Sequence, residues 1–150
     1  MNIKIVRTNA KNQDFINLIE KLDAYLKITD GNEHAFYNQF NNTDTLKRIV
    51  LLYVDDVPAG CGAIKEFDSL SMEVKRMFVC SDKRGLGLAQ KIMKELETSA
   101  RELGYKKCIL ETGKRQLEAL NFYLKNTYKV IPNYGQYIGM ENSVCFEKYI

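Results

Sequence analysis

Two glycines and two adjacent cations stand together in "SDKRGLGLA" (81–89), directly before an apolar stripe with helical spacing. A helix N-terminus leaves unpaired N–H groups pointing outward and carries roughly half a positive charge. Glycines remove the Cβ atoms that would hold an anion away from those groups. The stretch therefore has the parts of a diphosphate cradle made from backbone alone, and equally those of a plain strand-to-helix connection. It is not a Walker loop, because neither Lys-Ser nor Lys-Thr follows the last glycine. It also lacks the glycine spacing of the dinucleotide fingerprint. Lys83 and Arg84 would add side-chain charge beside either structure.

A strand must deliver the chain to this turn and a helix must leave it. Residues 71–79 read as that strand, and alternation sets Glu73, Lys75, Met77 and Val79 on one face. A strand carboxylate paired with Lys75 or Arg76 would suit the surface as well as a site. From Leu88 a helix runs through Ala89, Ile92, Met93, Leu96, Ala100 and Leu103, and Gly104 stops it as a C-cap.

The same reasoning extends to the rest of the chain. Residues 3–7 alternate as a first strand, and Asn12 caps a helix whose apolar positions run from Phe15 to Leu26. Asp30 and Glu33 have the offset of a capping box before a short helix through Ala35, Phe36 and Phe40. The continuous apolar run 49–54 predicts a strand buried on both faces, turned by Asp55-Asp56 into a strand over 59–66. Further strands are expected over 108–111, 128–131 and 144–149, with a helix over 115–125. The order is β-α-α-β-β-β-α-β-α-β-β. It predicts an α/β chain with a mixed (α+β) sheet, helices on both faces, and a parallel pair around the 88–103 helix.

The totals narrow the class. At 150 residues, one domain is the simplest division, and folding needs neither metal nor disulfide. Net charge is +3 and the basic residues come as short scattered pairs, so no nucleic-acid partner is indicated. Cys61, Cys80, Cys108 and Cys145 lie in or beside apolar runs without a CxxC, which predicts buried free thiols, no metal site and a reducing, cytoplasmic setting. No apolar window reaches membrane-spanning length.

The turn resembles motif A of the GNAT superfamily of acyl-CoA-dependent N-acetyltransferases, Gln/Arg-x-x-Gly-x-Gly/Ala, here Arg84-Gly-Leu-Gly87-Leu-Ala89. Upstream, "MEVKRMFVCSDKRG" resembles the family's fourth strand. Downstream, "RQLEALNFYLKNTYKV" resembles its helix of the form Asn-x-x-Ala-x-x-x-Tyr-x-x-x-Gly-Phe. The likeness is plain over residues 57–130, and the element order carries it across the chain, as one such domain over 1–150.

The resemblance implies acetyl-CoA as co-substrate, with no metal. The diphosphate would lie on Arg84, Gly85, Leu86, Gly87, Leu88 and Ala89. The pantetheine arm would pair with the main chain of Met77, Phe78 and Val79, one of whose N–H groups would hold the thioester oxygen. Glu73, eleven residues before Arg84, falls where the histone acetyltransferase branch has its catalytic base, and Tyr123 where the family has a tyrosine near the sulfur that acts as acid. Gln116, which the resemblance also sets among the cofactor's residues, replaces an asparagine and keeps its amide, and Thr127 replaces a glycine; the second change puts the helix end in question. His34 is read as surface or packing rather than catalytic, and the Tyr- and Gly-rich stretch 133–143 either as a plain loop or, the preferred reading, as closing over the acceptor. The expected activity is direct acetyl transfer to a small amine or amino acid in a ternary complex. A silent acyl-CoA sensor, a protein-amine acetyltransferase and a nucleotide-binding protein are the alternatives, and a homodimer is left open.

Overall fold

Among the described residues, seven strands form where the apolar residues alternate or run continuously: β1 (Ile3–Thr8), β2 (Arg48–Val54), β3 (Val57–Glu66), β4 (Ser71–Val79), β5 (Lys107–Gly113), β6 (Lys129–Ile131) and β7 (Ser143–Tyr149). Among the described residues four helices connect them: α1 (Gln13–Asp30), α2 (His34–Asn38), α3 (Leu88–Glu102) and α4 (Leu117–Lys125). The structure is a computed structural model that describes residues 1–38, 42, 43 and 45–150. Phe40, expected in the second helix, lies outside the described residues.

The strands make one sheet in the order β1-β2-β3-β4-β5-β7-β6. All neighbouring pairs are antiparallel except β4 and β5, the pair joined through α3. Alternation sorts the sheet's side chains between two cores. Val50, Leu52, Ile64, Met72, Leu110 and Phe146 pack with α3 and α4. Ile49, Leu51, Cys61 and Ala63 pack with Phe15 and Leu18 of α1 on the other face. The β2 run is buried on both sides, as its unbroken apolar sequence requires.

The helix leaving the glycine turn is anchored firmly. Leu88, Ile92, Met93, Leu96 and Ala100 are all at most 2% exposed. Each of the larger side chains contributes about 1.5–3 kcal/mol through burial. Gly62 of β3 makes room for them, since a Cβ there would lie 2.6 Å from Met77 Sδ and 2.8 Å from Leu96. The four cysteines are buried and free. No helix among the described residues is long and apolar enough to cross a membrane.

Three local expectations need correction. Asp30 caps nothing: α1 runs through it, Gly31 turns the chain at φ 57°, and the Asp30 side chain makes no capping bond. That carboxylate is buried instead, 6% exposed and 3.8 Å from His34 Nδ1. The second correction concerns β4. Arg76 takes φ 60° where the pairing with β3 shifts between Cys61↔Phe78 and Ala63↔Lys75, so β4 carries one extra residue. The bulge breaks alternation. Met77 and Val79 join the α3-side core, whereas Glu73 and Lys75 face the α1–α2 side. Lastly, Thr127 leaves the end of α4 intact. It adopts φ 69°, and the Tyr128 N–H donates to the Tyr123 carbonyl at 3.0 Å, closing the helix as a glycine would.

Candidate active site

The site begins where the sheet comes apart. β4 and β5 pair only through Ser71↔Lys107, Met72↔Cys108 and Glu73↔Ile109, although β4 continues to Val79 and β5 to Gly113. Beyond Glu73 the two strands separate, so β4 offers main-chain groups on its β5 side that no strand among the described residues satisfies. A cleft of about 500 Å³ opens along this edge. Its walls are the end of β4, the glycine turn, the start of α3 and one side of α4.

The turn is built for close approach. Gly85 and Gly87 have φ of 81° and 76°, a region that L side chains rarely adopt, and a Cβ on either would meet nothing within 4 Å. Gly87 is the N-cap of α3 and supplies no side chain, so the first N–H groups of that fifteen-residue helix stay open. Arg84 folds back to brace the turn: its Nε donates to the Val79 carbonyl at 3.1 Å and its guanidinium lies 5.7 Å from the Tyr25 ring centre.

All the positions named from sequence for the cofactor line this cleft except Leu86, which is 47% exposed. The Leu88 side chain is core, so only its main chain is available to a ligand. These residues fit a diphosphate followed by an extended arm. The turn supplies N–H donors and positive dipole, and the free edge of β4 supplies main-chain partners.

A second, smaller cavity of about 110 Å³ adjoins the cleft. Leu22, Met77, Gln116 and Tyr123 line both. Among the described residues three carboxylates line the smaller cavity, Asp30, Glu73 and Glu111. Glu73, 4% exposed, accepts a hydrogen bond from the Tyr134 hydroxyl and lies 3.5 Å from Lys75 Nζ. Glu111, on β5, accepts the Ser143 hydroxyl at 2.7 Å, and Ser143 is in turn 2.9 Å from the Tyr37 hydroxyl. Burial pushes the Glu111 carboxyl up to about 7, with the Ser143 hydrogen bond and the Lys75 charge opposing the rise. Burial also raises Asp30 and lowers Lys75 from their ordinary values.

Tyr123 stands at the junction. It is 7% exposed, packs edge-on against the rings of Phe122 and Tyr128, and its hydroxyl has no hydrogen-bond partner among the described residues. Burial raises its pKa. The stretch 133–143 folds over the smaller cavity: Tyr134 reaches Glu73, and Tyr137 lines the wall and stacks on Tyr37 at 6.4 Å. The Asn133 amide holds the loop through the carbonyls of Tyr137 and Met140, each at 3.0 Å. The geometry thus brings Glu73, Tyr123, Met77 and Gln116 together. His34 lies apart from both cavity linings, beside Asp30.

Sequence reasoning missed Glu111, Tyr37 and Asp30, and it named the stretch holding Tyr134 without that tyrosine's contact to Glu73. A signal for Glu111 was present. It is a carboxylate ending an apolar strand run, Cys108-Ile-Leu-Glu111, next to the strand that enters the turn.

A model of the acetyltransferase (GNAT) family matches residues 14–128. The chain is 30% identical over 153 aligned residues to the IAA acetyltransferase of Azospirillum brasilense, covering 98% of this chain and 97% of that one. Among solved structures it is similar to a Klebsiella pneumoniae protein provisionally assigned as an acyl-CoA N-acyltransferase, with TM-score 0.82 and 27% identity over 98% of this chain and 97% of the other. It shares its fold with a GNAT family acetyltransferase from Elizabethkingia anophelis, solved with acetyl-CoA bound, at TM-score 0.72 and 17% identity over 99% of each chain.

Proposed function

The chain belongs to the acetyltransferase (GNAT) family, and from that premise we propose that it transfers the acetyl group of acetyl-CoA to the amine of a small molecule or amino acid, by direct attack in a ternary complex. The observation that carries this reading is the split between β4 and β5. An open glycine turn lies at one end of the gap and a carboxylate-lined pocket at the other.

In this reading the diphosphate rests on the N–H groups from Gly85 to Ala89, and the pantetheine arm runs along Met77 to Val79. A main-chain N–H at this stretch holds the thioester oxygen as it gains charge. The thioester then meets the acceptor where the two cavities share Met77, Gln116 and Tyr123.

An alkyl amine has a pKa near roughly 10.4 and arrives protonated. Glu73 and Glu111 share the task of relieving it of that proton. Glu73 is held in place by Tyr134 and Lys75, and Glu111, near 7, changes protonation state in the working range. Tyr123 faces the sulfur and protonates the departing thiolate. The size of the acceptor pocket, about 110 Å³, favours a small molecule over a protein segment.

The test is calorimetric titration with acetyl-CoA. Gly87→Glu puts a bulky negative side chain where the diphosphate approaches, in a region open to solvent. Affinity should fall by more than roughly tenfold with the fold retained. Equal affinity in both proteins would make the turn a plain connection.

A further inference from the structure

Lys75 satisfies, within the chain itself, the requirements placed on an incoming acceptor. Among the described residues it is the lysine that lines the acceptor cavity; Lys83 and Lys125 line the larger cleft. Its side chain is 9% exposed. Its Nζ lies 3.5 Å from Glu73 Oε1 and donates to the Tyr137 hydroxyl at 3.5 Å. Burial favours the neutral amine, while Glu73 and Glu111 oppose that and Lys65 adds to it, with burial the largest influence. Because of the bulge at Arg76, Lys75 reaches into the acceptor side while Met77, two residues on, lines the junction with the cleft. The amine therefore stands beside a base, in the small cavity that opens onto the cofactor's edge of β4.

We propose that Lys75 is a self-acetylation site: with no amine in the pocket, its Nζ takes the acetyl group of bound acetyl-CoA. This inference rests on the acetyl-CoA reading of the cleft. In the step, neutral Nζ attacks the thioester carbonyl, the C–N bond forms and the C–S bond breaks. The lysine's proton passes to Glu73, and the thiolate takes a proton and leaves as coenzyme A thiol. The sum is acetyl-CoA plus lysine giving Nε-acetyl-lysine plus the free thiol, with nothing oxidised or reduced. The product removes the amine facing Glu73 and fills part of the acceptor pocket, so the modification would compete with acceptor turnover.

The full chain is incubated with acetyl-CoA carrying a deuterated acetyl group, without added amine, and peptides are mapped by mass over time. Chemical acetylation marks exposed lysines first, so Lys91 and Lys94, both exposed, serve as internal clocks. The expected result is labelling of Lys75 at least roughly tenfold faster than of those two, and a corresponding slowing in Gly87→Glu. Lys75→Arg should retain the clocks and lose the fast site. Labelling ordered by exposure, with Lys75 last, overturns the proposal. Bound acetyl-CoA and acetylated added amines without a mark on Lys75 would overturn this inference alone. Absence of acetyl-CoA binding would overturn both it and the function from which it starts.

Discussion

Ser143, the first residue of the last strand, donates its hydroxyl to Glu111 at 2.7 Å. That contact gives one carboxylate oxygen a partner in a pocket that otherwise strips the group of water. Glu73, across the gap between β4 and β5, is held instead by Tyr134 and Lys75. Two acids at one site are thus distinguished by their neighbours, and the difference has consequences that pH exposes.

Glu111 moves upward from 4.5 to about 7 on folding, so the folded state binds the extra proton between those values. The stability this gives is fully present below about 4.5 and is lost as pH rises through about 7, at most about 3 kcal/mol in all. Glu111→Gln should therefore raise the melting temperature by about 2–6 °C at pH 8, with the gap closing near pH 4.5. The same substitution should abolish an inflection near pH 7 in kcat/KM. Glu73→Gln should lower kcat on the order of 10²–10⁴-fold near neutral pH, less as free amine becomes abundant. Wild-type rates without an inflection near 7 would take Glu111 out of the proton path.

Tyr123→Phe separates chemistry from packing. The ring contacts with Phe122, Tyr128 and Phe146 remain, and the hydroxyl that is lost leaves no partner stranded among the described residues. A thiol with a pKa near roughly 8.5 leaves fairly well unaided, so kcat should fall roughly 10- to 100-fold with acetyl-CoA affinity and melting temperature unchanged. Equal rates in the two proteins would remove Tyr123 from the sulfur side of the reaction.

Thr127 gives a prediction about stability alone. It holds φ 69° at the end of α4, where a β-branched side chain is strained and glycine is not. Thr127→Gly should stabilise the protein by about 1 kcal/mol, raising the melting temperature by about 2–4 °C. A lower melting temperature would mean that the Thr127 side chain contributes more than its backbone costs.

The local pattern was a good guide wherever one element decided the outcome. All seven strands lie where alternation or a continuous apolar run put them, and the glycine turn meets its helix as the spacing required. What escaped the sequence depends on partners far along the chain. Nothing marks Arg76 for a left-handed conformation; the bulge is fixed by pairing with β3. It reversed the expected face of Met77 and Val79 relative to Glu73. The raised carboxyl of Glu111 arises only when α1, α2 and the 133–143 loop close over β5, and the Tyr134 contact to Glu73 spans 61 positions. Asp30 had the spacing of a cap but the burial of a pocket residue, and burial prevailed.

The measurement that bears most directly on the central claim is a transfer assay with acetyl-CoA and a mixture of small primary amines and amino acids, read by product mass and by free thiol. The expected result is one or more amines carrying a single acetyl group, in amounts equal to the thiol released, and loss of both signals in Gly87→Glu. Thiol release without any acetylated amine, or no release with any amine in the mixture, would contradict acetyl transfer at this cleft.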